Sequence, residues 1–145
     1  IPDSGGPGAF RGGRGILREY ENLAEARFTI RSNKHFIAPR GVRKGSDGRC
    51  GRLTMHPDTK GAEILPSRYS DYPLMAGNIF RLESPGGGGF GDPRKRDPQS
   101  VCHDVNEGYV SAKSAKQDYR VALKKSKGAF IVDLPATKAL RKAKR

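Results

Sequence analysis

Two glycine-rich stretches limit what this chain can fold into more than any other feature. The first holds Ser4-Gly5-Gly6-Pro7-Gly8 and Arg11-Gly12-Gly13-Arg14-Gly15, and the second runs from Pro85 to Pro93 with four consecutive glycines. Glycine brings no side chain to a core and proline donates no amide hydrogen, so neither stretch is predicted to form regular helix or sheet. We predict extended, polyproline-type segments that pass close to other backbone.

The chain is about as long as one domain, yet it has few apolar side chains for that length. Of its 145 residues 34% are apolar, while 19 are glycine and 10 are proline. Such a chain has a thin hydrophobic core. We therefore expect it to need a partner surface to fold against.

Alternating apolar and polar residues predict short strands in the first part of the chain. The predicted strands cover residues 16–21, 26–31, 52–56 and 78–83. The first two are expected to pair as a hairpin or meander, residues 32–61 to form an extended surface loop, and residues 69–72 to form a turn.

The pattern changes after Asp97, which is predicted to cap a short helix with Pro98 at its first position and Gly108 after its end. Ser111 is predicted to cap a second helix that runs to about Tyr119. Two short strands are expected at 119–123 and 129–134, and a basic tail, either helical or frayed, at 137–145. The predicted fold is therefore mainly β within the α+β class, with a unit over 1–123 and a basic extension over 124–145.

The net charge of +13 is concentrated at the carboxy end. Residues 113–145 carry eleven basic and only two acidic side chains. Such a tail favours either phosphate contacts or docking on an acidic partner. No aromatic residue follows Phe130 as a stacking platform for bases, so a nucleic-acid-binding module is the second hypothesis rather than the first.

Four residues are candidate zinc ligands by side-chain type: Cys50, His56, Cys102 and His103. Their spacing is not diagnostic of a zinc site, and a small buried cysteine with surface histidines is the alternative interpretation. Two cysteines without a disulfide pattern fit a reducing compartment. With no apolar stretch of membrane-spanning length and no signal-peptide pattern, we expect a cytoplasmic protein.

Gly86, Gly88 and Gly91 satisfy the dinucleotide pattern G-x-G-x-x-G. However, Asp92-Pro93 and a basic run stand where the phosphate-binding helix would begin. The pattern is therefore interpreted as close backbone packing. No nucleophile-and-base signature such as G-x-S-x-G occurs, so we predict no complete catalytic apparatus.

The order of these glycines, prolines and polar residues resembles the carboxy-terminal end of the hydantoinase B subunit family. The resemblance runs from about Asp3 to Leu123. Its residues are Ser4-Gly5-Gly6-Pro7-Gly8, Phe10-Arg11-Gly12-Gly13, Arg18-Glu19-Tyr20, Leu65-Pro66-Ser67, Leu82-Glu83-Ser84-Pro85-Gly86-Gly87-Gly88-Gly89-Phe90-Gly91-Asp92-Pro93, Arg96-Asp97-Pro98, Val101, Asp104-Val105, Gly108-Tyr109-Val110-Ser111, Ala115 and Asp118-Tyr119.

The resemblance implies a small accessory subunit of an ATP-dependent enzyme whose larger A-like and B-like subunits bind ATP and magnesium. A biotin-independent carboxylase similar to acetophenone carboxylase is the preferred member, and a hydantoinase or oxoprolinase is the alternative. No catalytic residue is carried over. We predict that the run Gly86, Gly87, Gly88, Gly89, Phe90 and Gly91 contacts the larger subunit.

Overall fold

We describe residues 1–142 of the chain from a computed structural model. They form a small α+β unit with three parts: a β-rich arm, a glycine-rich bundle, and a helical end. The strands are β1 (Leu17–Glu21), β2 (Ala26–Arg31), β3 (Arg52–Met55), β4 (Glu63–Leu65), β5 (Arg68–Leu74), β6 (Ile79–Glu83), β7 (Leu123–Ser126) and β8 (Ala129–Val132). The helices are α1 (Pro98–Asn106), α2 (Ala112–Gln117) and α3 (Leu134–Lys142), with a short 3-10 helix at Pro93–Lys95.

The arm contains two antiparallel sheets. One has four strands in the order β1-β6-β3-β4, and the other pairs β2 with β5. Stacked rings of Phe28 in β2 and Phe80 in β6, 5.3 Å apart, join the two sheets. Five buried side chains form the core of the arm: Ile30, Leu53, Met55, Leu65 and Leu74.

The predicted hairpin of the first two strands is wrong. β1 pairs with β6, with Tyr20 opposite Phe80, and β2 pairs with β5, with Phe28 opposite Tyr72. Aromatic pairs lie across both contacts, and cross-strand aromatic pairs stabilise sheets. Each of the first two strands therefore pairs with a strand that is distant in sequence, where the aromatic side chains pack, and not with its neighbour along the chain.

The predicted turn at residues 69–72 is also wrong, because β5 runs through it. The turn signal has a physical origin, since β5 carries one extra residue here. Thr29 lies opposite both Ser70 and Asp71, and Asp71 has a left-handed backbone with φ of 62°. The signal therefore marks a β-bulge rather than a chain reversal.

The helical end has its own core, formed by α1, α2 and the β7–β8 hairpin. The predicted caps are confirmed: Asp97 accepts the Ser100 N–H at 2.9 Å, and Ser111 accepts the Ser114 N–H at 3.0 Å. Gly108 follows α1 with φ of +67°. The strand expected at 119–123 is wrong, because Tyr119 and Val121 are buried in the core instead and the strand begins at Leu123.

The basic tail is helical over most of its length, which is one of its two predicted forms, but it starts earlier, at Leu134. Thr137 is buried and attaches α3 to the helical end, where its Oγ1 accepts the Ala122 N–H at 3.0 Å. The last part of the predicted tail, residues 143–145, lies outside the described residues. Within residues 1–142, no helix has the length and apolar character needed to cross a membrane.

Candidate functional site: the glycine-rich bundle and its exposed end

The bundle consists of five extended segments: residues 4–8, 11–15, 39–42, 45–51 and 84–91. Segment 84–91 hydrogen-bonds to all the others. Its amides donate to a different neighbour at almost every residue: Gly86 to Arg49 O (3.0 Å), Gly87 to Gly13 O (2.8 Å), Gly89 to Ser46 O (2.9 Å) and Gly91 to Val42 O (2.9 Å). A segment with three residues per turn points successive amides in different directions. The predicted polyproline-type glycine segments are consistent with this pattern.

Close approach of backbones explains why glycine is needed here. A Cβ on Gly86 would lie 1.8 Å from Ser4 O, and one on Gly88 would lie 2.0 Å from Arg40 O. From the opposite side, a Cβ on Gly12 would lie 2.0 Å from Gly87 O. Any larger residue at these positions would overlap backbone that has no room to move.

The structure shows what the glycines in the run Gly86 to Gly91, predicted to contact a partner, face within this chain. The space in front of Gly86, Gly88 and Gly89 is filled by segments of this same chain. The glycines therefore build the bundle itself. A contact of this run with a larger subunit stays a prediction, and Phe90 is its exposed member.

Phe90 lies at the end of the bundle between two neighbours. It exchanges two backbone hydrogen bonds with Phe10, and it forms a bridge with Val42 on the other side. The Phe10 and Phe90 rings are 6.3 Å apart. The exposed fractions are 69% for Phe10, 54% for Val42 and 43% for Phe90. We call these three residues the bundle-end patch, an apolar surface held on paired backbone.

A buried ion cluster joins the bundle to the helical end. The Asp104 carboxylate in α1 accepts hydrogen bonds from Arg11 Nε at 3.2 Å and from Arg96 Nη2 at 2.9 Å. Asp104 is 4% exposed. The Tyr109 ring lies below the guanidinium of Arg14, which is 3.6 Å from the ring centroid.

Tyr119 is buried near this cluster. Burial raises the pKa of Tyr119 to about 12. A phenol with that pKa stays protonated at neutral pH, which makes it a poor general base. Its hydroxyl has no hydrogen-bond partner among residues 1–142.

The four zinc candidates do not form a metal centre in the described part of the chain. No group of three or more His, Cys, Asp or Glu side chains there has the arrangement of a metal site. Cys102 is buried in α1, where its Sγ donates to Phe130 O at 3.1 Å. Its neighbour His103 is exposed, and Cys50 lies in the bundle just before β3. Burial raises the pKa of the Cys102 thiol, so it is a poor thiolate.

Phe90 belongs to the run predicted from sequence to contact a partner, but its pairing with Phe10 was not predicted. Both are lone aromatic residues among glycines, a signal that points to an exposed ring because glycine segments offer it no core. By contrast, Arg11 and Arg96 meet Asp104 without any sequence signal, since Arg11 is 93 residues away from it.

The unit thus has two small hydrophobic cores, a glycine-rich bundle and an exposed apolar patch at the end of that bundle. The sequence profile of the family described as Hydantoinase B/oxoprolinase matches residues 1–93. The chain belongs to this family, as its resemblance implied.

Two relatives support this assignment over almost the whole chain. An uncharacterised protein of Methanocaldococcus jannaschii is 40% identical over 96% of this chain and 24% of its own length. The caprolactamase subunit beta of Pseudomonas jessenii is 33% identical over 99% of this chain and 25% of its own length.

Two solved structures share the fold. The ATP-dependent caprolactamase from Pseudomonas jessenii has a TM-score of 0.76 at 29% identity, covering 99% of this chain and 25% of that one. Acetone carboxylase in its nucleotide-free structure has a TM-score of 0.68 at 26% identity, covering 97% and 23%. This chain therefore spans about a quarter of the length of each of these relatives. Relatives of this chain are parts of ATP-dependent carboxylases and amide hydrolases.

Proposed function

We propose that this chain is the structural quarter of a hydantoinase-B-like subunit and completes that subunit inside an ATP-dependent hydrolase or carboxylase. The observation that carries the proposal is that this chain aligns almost from end to end with about a quarter of the length of the caprolactamase subunit. Its bundle closes on itself through hydrogen bonds within the chain. A unit of this kind folds around its own glycines and leaves the remaining length of the subunit to supply the catalytic groups.

The described groups support a structural role. The buried carboxylate of Asp104 is held by two arginines, Tyr119 is held neutral by burial, and the Cys102 thiol has a raised pKa. Each of these groups is engaged in packing or is poorly suited to accept a proton at neutral pH. ATP and magnesium are assigned to A-like and B-like partner polypeptides.

For the substrate, we place ring amides ahead of ketones. The caprolactamase fold superposes more closely than acetone carboxylase, with TM-scores of 0.76 and 0.68. An ATP-dependent amide hydrolase and a ketone carboxylase both need an activated carbonyl oxygen, so one scaffold can serve either. Acetophenone with bicarbonate is the ketone substrate of this proposal, and a hydantoin, 5-oxoproline or a lactam is the amide substrate.

The test is reconstitution with polypeptides of the same organism. The larger B-like polypeptide, which supplies the length that this chain does not span, is purified with the A-like polypeptide, with and without this chain. We expect substrate-dependent ATP hydrolysis only when all three are present, and we expect it with ring amides rather than with acetophenone and bicarbonate. Full activity without this chain would contradict the structural role, whereas activity with acetophenone alone would reverse only the substrate order.

A further inference from the structure

A tight turn beside the bundle-end patch has two basic residues at its centre, although its backbone conformation favours Asn and Gly. Gly45 N donates to Val42 O at 2.9 Å, and the two central residues Arg43 and Lys44 have φ of 49° and 75°. These are the angles of a type I′ turn, which strongly prefers Asn and Gly. Arg43 and Lys44 are two successive non-glycine residues in the left-handed region, and residues in sparsely populated backbone conformations cluster at functional sites.

The turn is fixed next to the patch. Val42 N donates to Gly89 O at 2.9 Å, while Val42 O accepts from Gly91 N at 2.9 Å, which places the turn at one side of Phe90. The Arg43 guanidinium lies 5.5 Å from the centroid of the Phe90 ring. The apolar patch and the basic turn are therefore one continuous surface.

The positive charge of this surface is only partly balanced within residues 1–142, where Lys44 lies near enough to Asp92 to help lower the pKa of that carboxyl. Arg40, Arg43 and Lys44 form no ion pair with a described carboxylate, whereas Arg11, Arg49, Arg81 and Arg96 all do. Two carboxylates of this region are already engaged. Asp47 accepts the Gly41 N–H at 2.8 Å, and Asp92 is held by Arg94 at 2.7 Å.

We propose that the bundle-end patch, together with Arg40, Arg43 and Lys44, docks into an apolar hollow rimmed by carboxylates on the larger part of the hydantoinase-B-like subunit. Apolar anchors surrounded by a charged rim are the usual organisation of a specific interface. Unpaired cations beside the anchors select an acidic rim on the partner. This inference rests on the proposed function, and it names the surface through which that function is carried out.

The experiment measures binding of the full chain to the larger B-like polypeptide of the same organism by biolayer interferometry. The patch variant is Phe10→Ser/Phe90→Ser, and the charge variant is Arg43→Glu/Lys44→Glu. The matched controls lie in the arm: Leu23→Ser, whose side chain is 83% exposed, and Lys60→Glu/Arg68→Glu. Thermal melting of each variant checks that the fold is retained.

We expect both test variants to weaken binding at least about tenfold, which corresponds to the loss of an anchor of an interface. The controls should stay within about twofold. Wild-type affinity should fall with added salt, and the charge variant should lose most of that dependence. If the wild type binds and the patch and charge variants bind equally well with unchanged melting, this surface is not the interface. If the wild type does not bind at all, the proposed function itself is wrong.

Discussion

Asp104 and Arg11 form a buried ion pair between residues 93 positions apart, with 3.2 Å between the Asp104 carboxylate and Arg11 Nε. Arg11 belongs to the glycine-rich bundle, and Asp104 lies in the last turn of α1 in the helical end. The pair therefore fixes the position of one part of the molecule against the other. Arg96 is a second donor to the same carboxylate.

The first prediction concerns this carboxylate. Asp104→Ala should lower the free energy of unfolding by about 3–5 kcal/mol, because two largely buried arginines would lose their partner. Denaturant unfolding followed by circular dichroism measures the change. Asp71→Ala is the control, since its pair with Arg27 is exposed and is expected to contribute about 0–1 kcal/mol. Equal effects of the two substitutions would show that the cluster does not stabilise the fold.

The second prediction concerns the bundle glycines. Gly86→Ala should destabilise the chain by about 3 kcal/mol or more, because the new methyl carbon would lie 1.8 Å from Ser4 O. Gly88→Val, placed against Arg40 O, should prevent folding. A failure of Gly88→Val to join a complex would thus arise within this chain, and not at a contact with the partner.

Gly13→Ala is the matched control, because a Cβ on Gly13 would have nothing within 4 Å. Its effect should stay within about 0.5 kcal/mol. The readout is the denaturant midpoint of each purified variant. A Gly86→Ala protein as stable as Gly13→Ala would contradict the close backbone packing described for the bundle.

The third prediction tests whether the basic tail is part of the folded unit. Thr137→Val keeps the shape of the side chain but removes the hydroxyl that contacts both the N–H and the carbonyl of Ala122. A loss of about 1–3 kcal/mol is expected, because the Ala122 amide would be left without its partner. Thr59→Val, on an exposed turn of the arm, is the control. An unchanged Thr137→Val protein would mean that this contact of α3 contributes little to stability.

The fourth prediction concerns acid stability. Hydrogen bonds from the Arg94 side chain hold the pKa of Asp92 at about 2, below the ordinary value of about 3.9. A carboxyl with a depressed pKa in the folded state contributes stability above about pH 4, and this contribution is lost as the pH falls toward 2. Titration followed by carboxyl carbon chemical shifts should give a midpoint near 2 for Asp92.

Arg94→Gln should raise that midpoint toward about 3.9 because the charged donor is removed. Asp92→Asn should make stability less dependent on pH between 4 and 2. A wild-type midpoint near 3.9 would show that the Arg94 contact does not persist in solution.

Local features of the fold were predictable because short-range chemistry determines them. Asp97 and Ser111 capped the helices at the predicted positions, and Gly108 followed α1. The strand at residues 26–31 was found with the predicted bounds. In these cases the preference of one residue and its near neighbours is enough to decide the local structure.

Pairing was not predictable in the same way. The partner of β1 is β6, about sixty residues later, and no periodicity within either strand indicates which strand it meets. The sequence around the bulge at Asp71 was interpreted as a turn, because a bulge and a turn both need a residue that tolerates a left-handed backbone.

The amino-acid sequence by itself determined the family of this protein and the need for close backbone contacts, because runs of glycine and proline exclude most other arrangements. Only the tertiary structure decided what those glycines face. A missing side chain shows that something lies nearby, but which backbone fills the space depends on the path of the whole chain. In this protein Ser4 lies against Gly86, and Phe10, Val42 and Phe90 form the exposed patch at the end of the bundle.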